Sequence, residues 1–232
     1  MTKKMIHPNG TDCIEFHIFY ILDTSGSMSG QPLKVLNDGM RSAIEELKKI
    51  SKVPTNIKIA VLEFNSDCRW VTNGYNGIVE VQDFFWHDLN AGGFTYLGKA
   101  LDELKRCLDV HETTCSITET RIPIMIFMSD GEPNDDWEVS LKNLSHNKWY
   151  RKAVKFAVAY GDHADVEVLA AVVGRWDEDN VIPREEAVLR TCNLQELLEM
   201  LKVVSAEAIS EGQSLSTKYG ETDPPDFDDG II

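Results

Sequence analysis

A chain of 232 residues with 43% hydrophobic residues is long enough for one large domain and too polar for a membrane protein. Its formal net charge of −15 argues against nucleic acid or an anionic membrane surface as partners, because both attract basic proteins. The five cysteines are odd in number and widely spaced, which predicts reduced thiols rather than a disulfide framework or a zinc knuckle. No apolar run approaches bilayer length and the N-terminus lacks a signal-peptide pattern, so we expect a cytoplasmic protein.

Strand and helix patterns alternate along the chain. Apolar runs such as FHIFYIL are typical of strands buried on both faces, whereas apolar residues spaced three and four apart predict helices. Residues 73–90 give no clear pattern. In chain order, we predict a leader (1–14), a strand (16–22), a helix (32–50), a strand (56–64), a short antiparallel strand (68–72), a glycine-bearing loop running into a helix (91–109), a strand (122–128), a helix (148–161), a strand (166–174), a closing helix (194–209) and an acidic, disordered tail (214–232).

This alternation predicts an α/β fold, doubly wound, with a mostly parallel central sheet and helices on both faces. In such sheets, ligands bind beyond the carboxyl ends of the strands. Two predicted strands end there in small, polar loops, one with Asp23, Ser25 and Ser27 and the other with Asp130. Alternate residues of an extended loop can face the same side, so these four side chains are expected to converge.

Carboxylates and hydroxyls are hard oxygen ligands, which suit Mg²⁺, with Mn²⁺ and Ca²⁺ as alternatives, and suit Zn²⁺ poorly. The sequence therefore predicts a divalent-cation site at this edge of the sheet. The simplest alternative is that DTSGS is only a polar turn.

Three segments, in order, resemble the von Willebrand factor A (vWA) domain family. DTSGS (23–27) is similar to its DxSxS motif, GGFTYLGKAL (92–101) to its threonine loop and following helix, and SDGEP (129–133) to its second aspartate loop. The resemblance implies one vWA domain over 15–213 with a metal-ion-dependent adhesion site (MIDAS). It implies that Ser25, Ser27 and Thr95 ligate the ion, and that Asp23 and Asp130 coordinate it directly or through water. Taken by itself, Thr95 could equally be a helix N-cap.

Within the family, the LDTSGSM, GGFTYLGKAL and MSDGEPND segments look most like bacterial TerY-type proteins of tellurium-resistance and related stress-response or phage-defence gene clusters. The resemblance implies a non-enzymatic scaffold whose protein partner presents an acidic side chain to the metal. Kinase or phosphatase components of the same cluster are candidate partners, and neither nucleic acid nor membrane is expected. The chain has no cysteine pairs for the zinc ribbon that some of these proteins carry.

Two other functions compete with a binding module. A metal-dependent hydrolase or phosphoryl-transfer enzyme could use the same ion, but DTS lacks the second aspartate of a phosphotransferase loop and no histidine stands in catalytic spacing. A receiver-type phospho-acceptor could use Asp130, but that reading leaves the two serines unexplained. No catalytic residue is therefore predicted.

Overall fold

A mixed β-sheet lies at the centre of this fold, with helices packed on both of its faces. The computed structural model describes residues 14–51, 55–74, 77–114, 123–161, 164–177 and 180–191. Its helices are α1 (Gln31–Ile50), α2 (Leu97–Thr114), α3 (Trp137–Ser145), α4 (Lys148–Lys152) and α5 (Val166–Val172). Its strands are β1 (Ile14–Asp23), β2 (Thr55–Phe64), β3 (Cys68–Trp70), β4 (Ile78–Glu80), β5 (Ile124–Ser129), β6 (Val154–Tyr160), β7 (Arg175–Asp177), β8 (Asn180–Ile182) and β9 (Val188–Thr191).

The strand order β3-β2-β1-β5-β6-β9 explains where a ligand can bind. β1, β2, β5, β6 and β9 run parallel, while β3 and β4 both pair antiparallel with β2. The chain passes from β1 to β2 on one side, and then crosses to β5 on the other side of β1. The winding therefore reverses between β1 and β5, and the carboxyl ends of these two strands border the crevice that such a reversal creates.

The apolar patterns of the sequence account for the packing on the two faces. Alternate residues of β1 point to opposite faces, and every one from Phe16 to Leu22 is buried. On one face they meet the stripe of α1, in which Leu36, Met40, Ile44 and Leu47 are each at most 1% exposed. On the other face lie α2 to α5. Each fully buried large apolar side chain contributes about 1.5–3 kcal/mol, and we therefore expect this core to fold without an ion.

The predicted strands at 16–22, 56–64 and 122–128, the short antiparallel strand at 68–72, the helix at 32–50 and the glycine-bearing loop that runs into a helix at 91–109 are confirmed. The unassigned stretch at 73–90 contains β4 and a 3₁₀ turn, Val81–Asp83. Residues 1–13 of the predicted leader, the closing helix at 194–209 and the tail at 214–232 lie outside the described residues. None of the described helices has both the length and the apolarity needed to cross a bilayer.

Two predictions near the C-terminal half are wrong. Residues 148–161 were expected to form one helix, but only Lys148–Lys152 are helical and the rest form β6, next to β5 in the sheet. Residues 166–174 were expected to form a strand, but they form α5, because the Asp165 side chain caps the helix by accepting from the Val168 amide at 3.0 Å. The strand that pairs with β6 is β9 instead.

Cys68 and Cys107, the two cysteines whose side chains the structure describes, are thiols and form no disulfide. Burial raises the pKa of Cys68 to about 11, with the charges of Glu103 and Asp67 adding to the effect. Burial also raises the pKa of Cys107 to about 12, against the opposing charge of Arg106. Both shifts disfavour the thiolate, which is the reactive form of cysteine.

Candidate metal centre

The adjacent ends of β1 and β5 bring the two predicted loops together. Ser129, the last residue of β5, donates a hydrogen bond from its hydroxyl to Oδ2 of Asp23, the last residue of β1, at 2.6 Å. The other carboxylate oxygen of Asp23 accepts from the Ser25 amide at 2.8 Å. Asp23 is completely buried, so both of its oxygens are fixed by the fold rather than by solvent.

A chain of oxygen atoms leads outward from this buried carboxylate. The Ser25 and Ser27 hydroxyls are 3.0 Å apart, and the Ser27 hydroxyl donates to Oδ1 of Asp130 at 2.8 Å. Ser25 is buried, Asp130 is half-buried and Ser27 is exposed. Four of the five predicted site residues therefore form one connected cluster that opens to the surface.

Backbone hydrogen bonds hold the loop of the fifth residue, Thr95, against this cluster. The Gly92 amide donates to the Thr24 carbonyl at 2.9 Å, and the Gly26 amide donates to the Gly93 carbonyl at 3.0 Å. Gly26 is suited to this approach, because a Cβ there would lie only 3.2 Å from that carbonyl oxygen. Thr95 is consequently placed in the same cleft as Ser25 and Ser27.

Asn134 and Asp135 tie the Thr95 loop to the Asp130 loop, a role that we did not predict from the sequence. The Thr95 amide donates to the Asn134 side chain at 2.9 Å, and the Asn134 amide donates back to the Thr95 carbonyl at 2.8 Å. The Asp135 carboxylate accepts from the Gly98 and Lys99 amides at 3.0 and 3.2 Å, and so caps α2. Because Asp135 caps these amides, they do not need the Thr95 hydroxyl as their cap.

The resulting cleft has a volume of about 280 Å³ and an oxygen-rich floor. The described residues that form its walls include no histidine, cysteine or lysine. The lining residues are Ser25, Gly26, Ser27, Gly93, Phe94, Thr95, Gly131, Glu132 and Asn134.

The electrostatics of the cluster favour a cation. Burial raises the pKa of Asp23, and the nearby charge of Asp130 raises it further against the hydrogen bonds from Ser129 and Ser25. Burial also raises the pKa of Asp130. No basic side chain among the described residues offsets either carboxylate. Two partly desolvated carboxylates beside three hydroxyls form a donor set that fits a hard divalent cation.

The donor set also limits which kind of metal centre this chain can form. In the described part of the chain, no group of three or more histidine, cysteine, aspartate or glutamate side chains is placed to hold a metal ion. A centre built only from such side chains is therefore absent there, and a metal at this cleft would have to take hydroxyl ligands.

We expect Asp135→Ala to weaken the site without removing a proposed ligand. Loss of the cap of α2 should cost about 1–2 kcal/mol of unfolding free energy. Because Asp135 adjoins the Asn134–Thr95 pair, Mg²⁺ affinity should also fall, by the roughly 10–100-fold that is typical when a residue that orients the metal ligands is changed. Urea unfolding and calorimetric titration measure the two effects. The matched control is Asp136→Ala, since Asp136 is exposed and its side chain makes no cap hydrogen bond. Equal behaviour of the two variants would contradict the prediction.

The fold and the cleft together define an α/β domain that presents hydroxyl and carboxylate oxygens at the switch point of a parallel sheet. The family model of the von Willebrand factor type A domain matches residues 17–195, and the chain belongs to this family.

Two individual proteins show partial sequence similarity to this chain. The human inter-alpha-trypsin inhibitor heavy chain H6 is 25% identical in an alignment of 173 residues that covers 70% of this chain and 13% of that protein. The transcription antitermination protein NusB of Chromobacterium violaceum is 35% identical in an alignment of 109 residues that covers 44% of this chain and 72% of that protein. This shorter match covers less than half of the chain, so the family assignment follows the match over 17–195.

Solved structures share the fold at low sequence identity. A von Willebrand factor type A protein from Catenulispora acidiphila superposes with a TM-score of 0.61 at 16% identity, covering 86% of this chain and 43% of that one. Proximal thread matrix protein 1 from the mussel byssus, in a structure with a zinc-occupied MIDAS motif, gives a TM-score of 0.57 at 17% identity, covering 83% and 47%. The chain thus spans less than half the length of these two proteins.

Proposed function

We propose that this chain is a non-enzymatic, divalent-cation-dependent protein-binding module. The observation that carries the proposal is the hydrogen-bonded cluster of Ser25, Ser27 and Asp130, in which the two serines line an open cleft. Ser25, Ser27 and Thr95 would supply hydroxyl ligands, while Asp23 and Asp130 would supply negative charge directly or through water. We propose Mg²⁺ as the ion, with Mn²⁺ and Ca²⁺ as alternatives. The zinc-occupied motif of the mussel protein supports a divalent ion at such a cleft.

The residues of the cleft suit docking better than catalysis. Asp23 is held from two sides, so it can orient the serine loop without moving. The hydroxyls of Ser25, Ser27 and Thr95 would hold a divalent ion, which would supply a positive charge able to bind an oxygen atom of a partner. Among the described residues that line the cleft there is no histidine, cysteine or lysine, and neither serine hydroxyl is hydrogen-bonded to a histidine that could activate it as a nucleophile, which favours binding over hydrolysis or phosphoryl transfer.

The partner that fits this cleft is a protein with an acidic side chain. Without a cation, the carboxylates of Asp23 and Asp130 repel another carboxylate. With a cation, the sign of the local charge reverses and the incoming carboxylate becomes a ligand. The face expected to bind the partner comprises residues 23–29, 91–96 and 130–137.

We expect partner binding to require the divalent ion. Protein captured from the native host by the immobilised chain in Mg²⁺ should elute with EDTA, and an Asp23→Ala chain should capture little of it. Thr95→Ala should weaken partner binding more than it lowers the free energy of unfolding, because Thr95 lies in a loop beside the first turn of α2. If the purified partner binds with the same affinity in EDTA and in Mg²⁺, the proposed function is wrong.

We also propose a cellular role, which is more specific than protein binding. The similarity of the three loop segments to TerY-type proteins supports a cytoplasmic scaffold in a tellurium-resistance, stress-response or phage-defence complex. Kinase or phosphatase components encoded beside it are the partners to seek among the EDTA-eluted proteins.

A further inference from the structure

An exposed aromatic ring stands on the wall of the cleft. Phe94 lines the cleft beside Gly93 and Thr95, and 61% of its surface is exposed. A single exposed hydrophobic residue is common on protein surfaces and needs no explanation by itself. Phe94 differs from such residues in that the surrounding loops hold its ring in place.

Several contacts fix the position of Phe94. Its ring stacks on that of Tyr96, with centroids 5.9 Å apart and planes 10° apart. The Lys99 ammonium lies 4.9 Å from the Tyr96 ring centroid and donates to the Ser66 carbonyl at 2.7 Å. The Phe94 amide donates to the Ser66 hydroxyl at 2.8 Å. Gly93 permits this approach through its φ of 82°, and a Cβ there would lie 2.5 Å from that hydroxyl oxygen.

A ring held in this way has already lost much of its conformational freedom, so a partner that covers it loses little more entropy. Aromatic side chains at such positions are the usual anchors of protein interfaces. The stack therefore offers a preformed apolar contact directly beside the proposed metal ligands.

The neighbouring loop offers the opposite chemistry. Glu132 lines the same cleft, is exposed, and makes no ion pair with any lysine or arginine among the described residues. The segment 25–27 hydrogen-bonds both to the Phe94 loop, through Gly26, and to the Glu132 loop, through Ser27. The cleft thus combines an aromatic ring, a cation site and an uncompensated carboxylate.

We propose that the occupant of this cleft is a protein segment with one acidic residue flanked by an apolar side chain and a basic side chain. The acidic residue ligates the ion, the apolar side chain packs on Phe94, and the lysine or arginine pairs with Glu132. The inference rests on the proposed function and adds the chemistry of the partner. Overall charge supports it, since a chain of net charge −15 repels a polyacidic segment and attracts one in which bases surround a single acid.

A displayed library of short peptides with one fixed aspartate and randomised flanks tests this proposal directly. Selection on the full chain in Mg²⁺ should enrich aromatic or large aliphatic residues on one side of the aspartate and lysine or arginine on the other. Synthetic versions of the enriched peptides then serve as the probes for variants.

Phe94→Ala should weaken the binding of these peptides at least about tenfold, as loss of a hot-spot aromatic does. Its matched control is Phe85→Ala. Phe85 is 69% exposed but lies 4.4 Å from the Lys48 ammonium, near the far end of the 20-residue α1, which is about 30 Å long. That variant should bind the peptides as the parent chain does.

Glu132→Lys should change the selected flank from basic to neutral or acidic residues. Asp83→Lys is the control, because Asp83 is exposed and follows Gln82, whose side chain donates to the carbonyls of Lys48 and Ser51 at the C-terminal end of α1. Asp83→Lys should keep the preference for basic flanks.

The outcomes separate this inference from the proposed function. Peptides that bind equally in EDTA and Mg²⁺ would overturn the proposed function and the inference with it. Peptides that need Mg²⁺, yet bind Phe94→Ala and Phe85→Ala equally and show no preference in their flanks, would overturn the inference and leave the proposed function standing.

Discussion

Changing Asp130 to asparagine should reduce Mg²⁺ affinity more than roughly 100-fold. Changes in residues that only orient the metal ligands typically reduce affinity by roughly 10–100-fold. Asp130 is half-buried, and one of its oxygens accepts from the hydroxyl of Ser27, which lines the cleft, at 2.8 Å. An ion bound by the two serines would therefore lie within reach of this carboxylate. Asparagine keeps the shape and one oxygen, but it removes the negative charge that a hard cation requires.

Asp23→Asn should reduce Mg²⁺ affinity about 10–100-fold, which is the range for residues that position metal ligands. Both oxygens of Asp23 accept hydrogen bonds from the protein, which points to a role in orienting the serine loop and supplying charge. Calorimetric titration with Mg²⁺, repeated with Mn²⁺ by electron paramagnetic resonance, measures these affinities.

Asp136→Asn is the control for the effect of removing one negative charge near the cleft, and its affinity should stay within about threefold of the parent, since exposed charges are screened. Parent-like affinity in Asp130→Asn would remove Asp130 from the site.

The centre of the fold could be predicted from the sequence because its pattern is unambiguous. A run such as FHIFYIL can be buried on both faces only as a central strand, and β1 lies between β2 and β5 as that pattern requires. The apolar stripe of α1 predicts a helix equally directly. In these segments, local periodicity and tertiary packing favour the same structure.

The segment around β6 could not be assigned in this way, because its local pattern is mixed. Lys155 is the second residue of β6 but is only 4% exposed, and its ammonium lies 4.0 Å from the centroid of the buried Tyr150 ring. Burial, together with the charge of Arg184, lowers the pKa of Lys155 to about 7. A lysine inside an apolar segment usually indicates the solvent-facing side of a helix. The lysines therefore favour a helix, although Val154, Phe156, Val158 and Tyr160 alternate as in a strand.

The site shows a similar division. Asp23, Ser25, Ser27 and Asp130 could be placed together, because each follows the carboxyl end of a recognisable strand and adjacent parallel strands share an edge. Asn134 and Asp135 could not be assigned, because their partners, the Thr95 and helix α2 amides, are about 40 positions away in sequence. The one sequence signal for this role was that an amide and an acid, which can both accept hydrogen bonds from backbone amides, directly follow SDGEP.

Without metal, Asp23→Asn should be more stable than the parent chain at neutral pH. Burial, with the charge of Asp130, raises the pKa of Asp23 above its ordinary value of 3.8, so the charged carboxylate opposes folding. The penalty is absent well below pH 3.8, grows as pH rises through the interval between the ordinary and the raised pKa, and is complete above it. The Ser129 hydroxyl can rotate to accept from the new amide, and the remaining side-chain oxygen can still accept from the Ser25 amide, so both hydrogen bonds of this position can be kept.

Magnesium should reverse this order of stability. An ion that binds only the folded parent chain adds about 2.7 kcal/mol at about 100 times its Kd, which raises the melting temperature by about 5–11 °C. The variant should gain far less at the same concentration. Thermal unfolding of both chains, in EDTA and in Mg²⁺ from acid to neutral pH, should therefore show the two melting temperatures crossing on addition of the ion. A parent chain that is the more stable in EDTA at neutral pH would mean that the hydrogen bonds from Ser129 and Ser25 outweigh the burial of the charge. Failure of Mg²⁺ to stabilise the parent would mean that the cleft does not bind this ion.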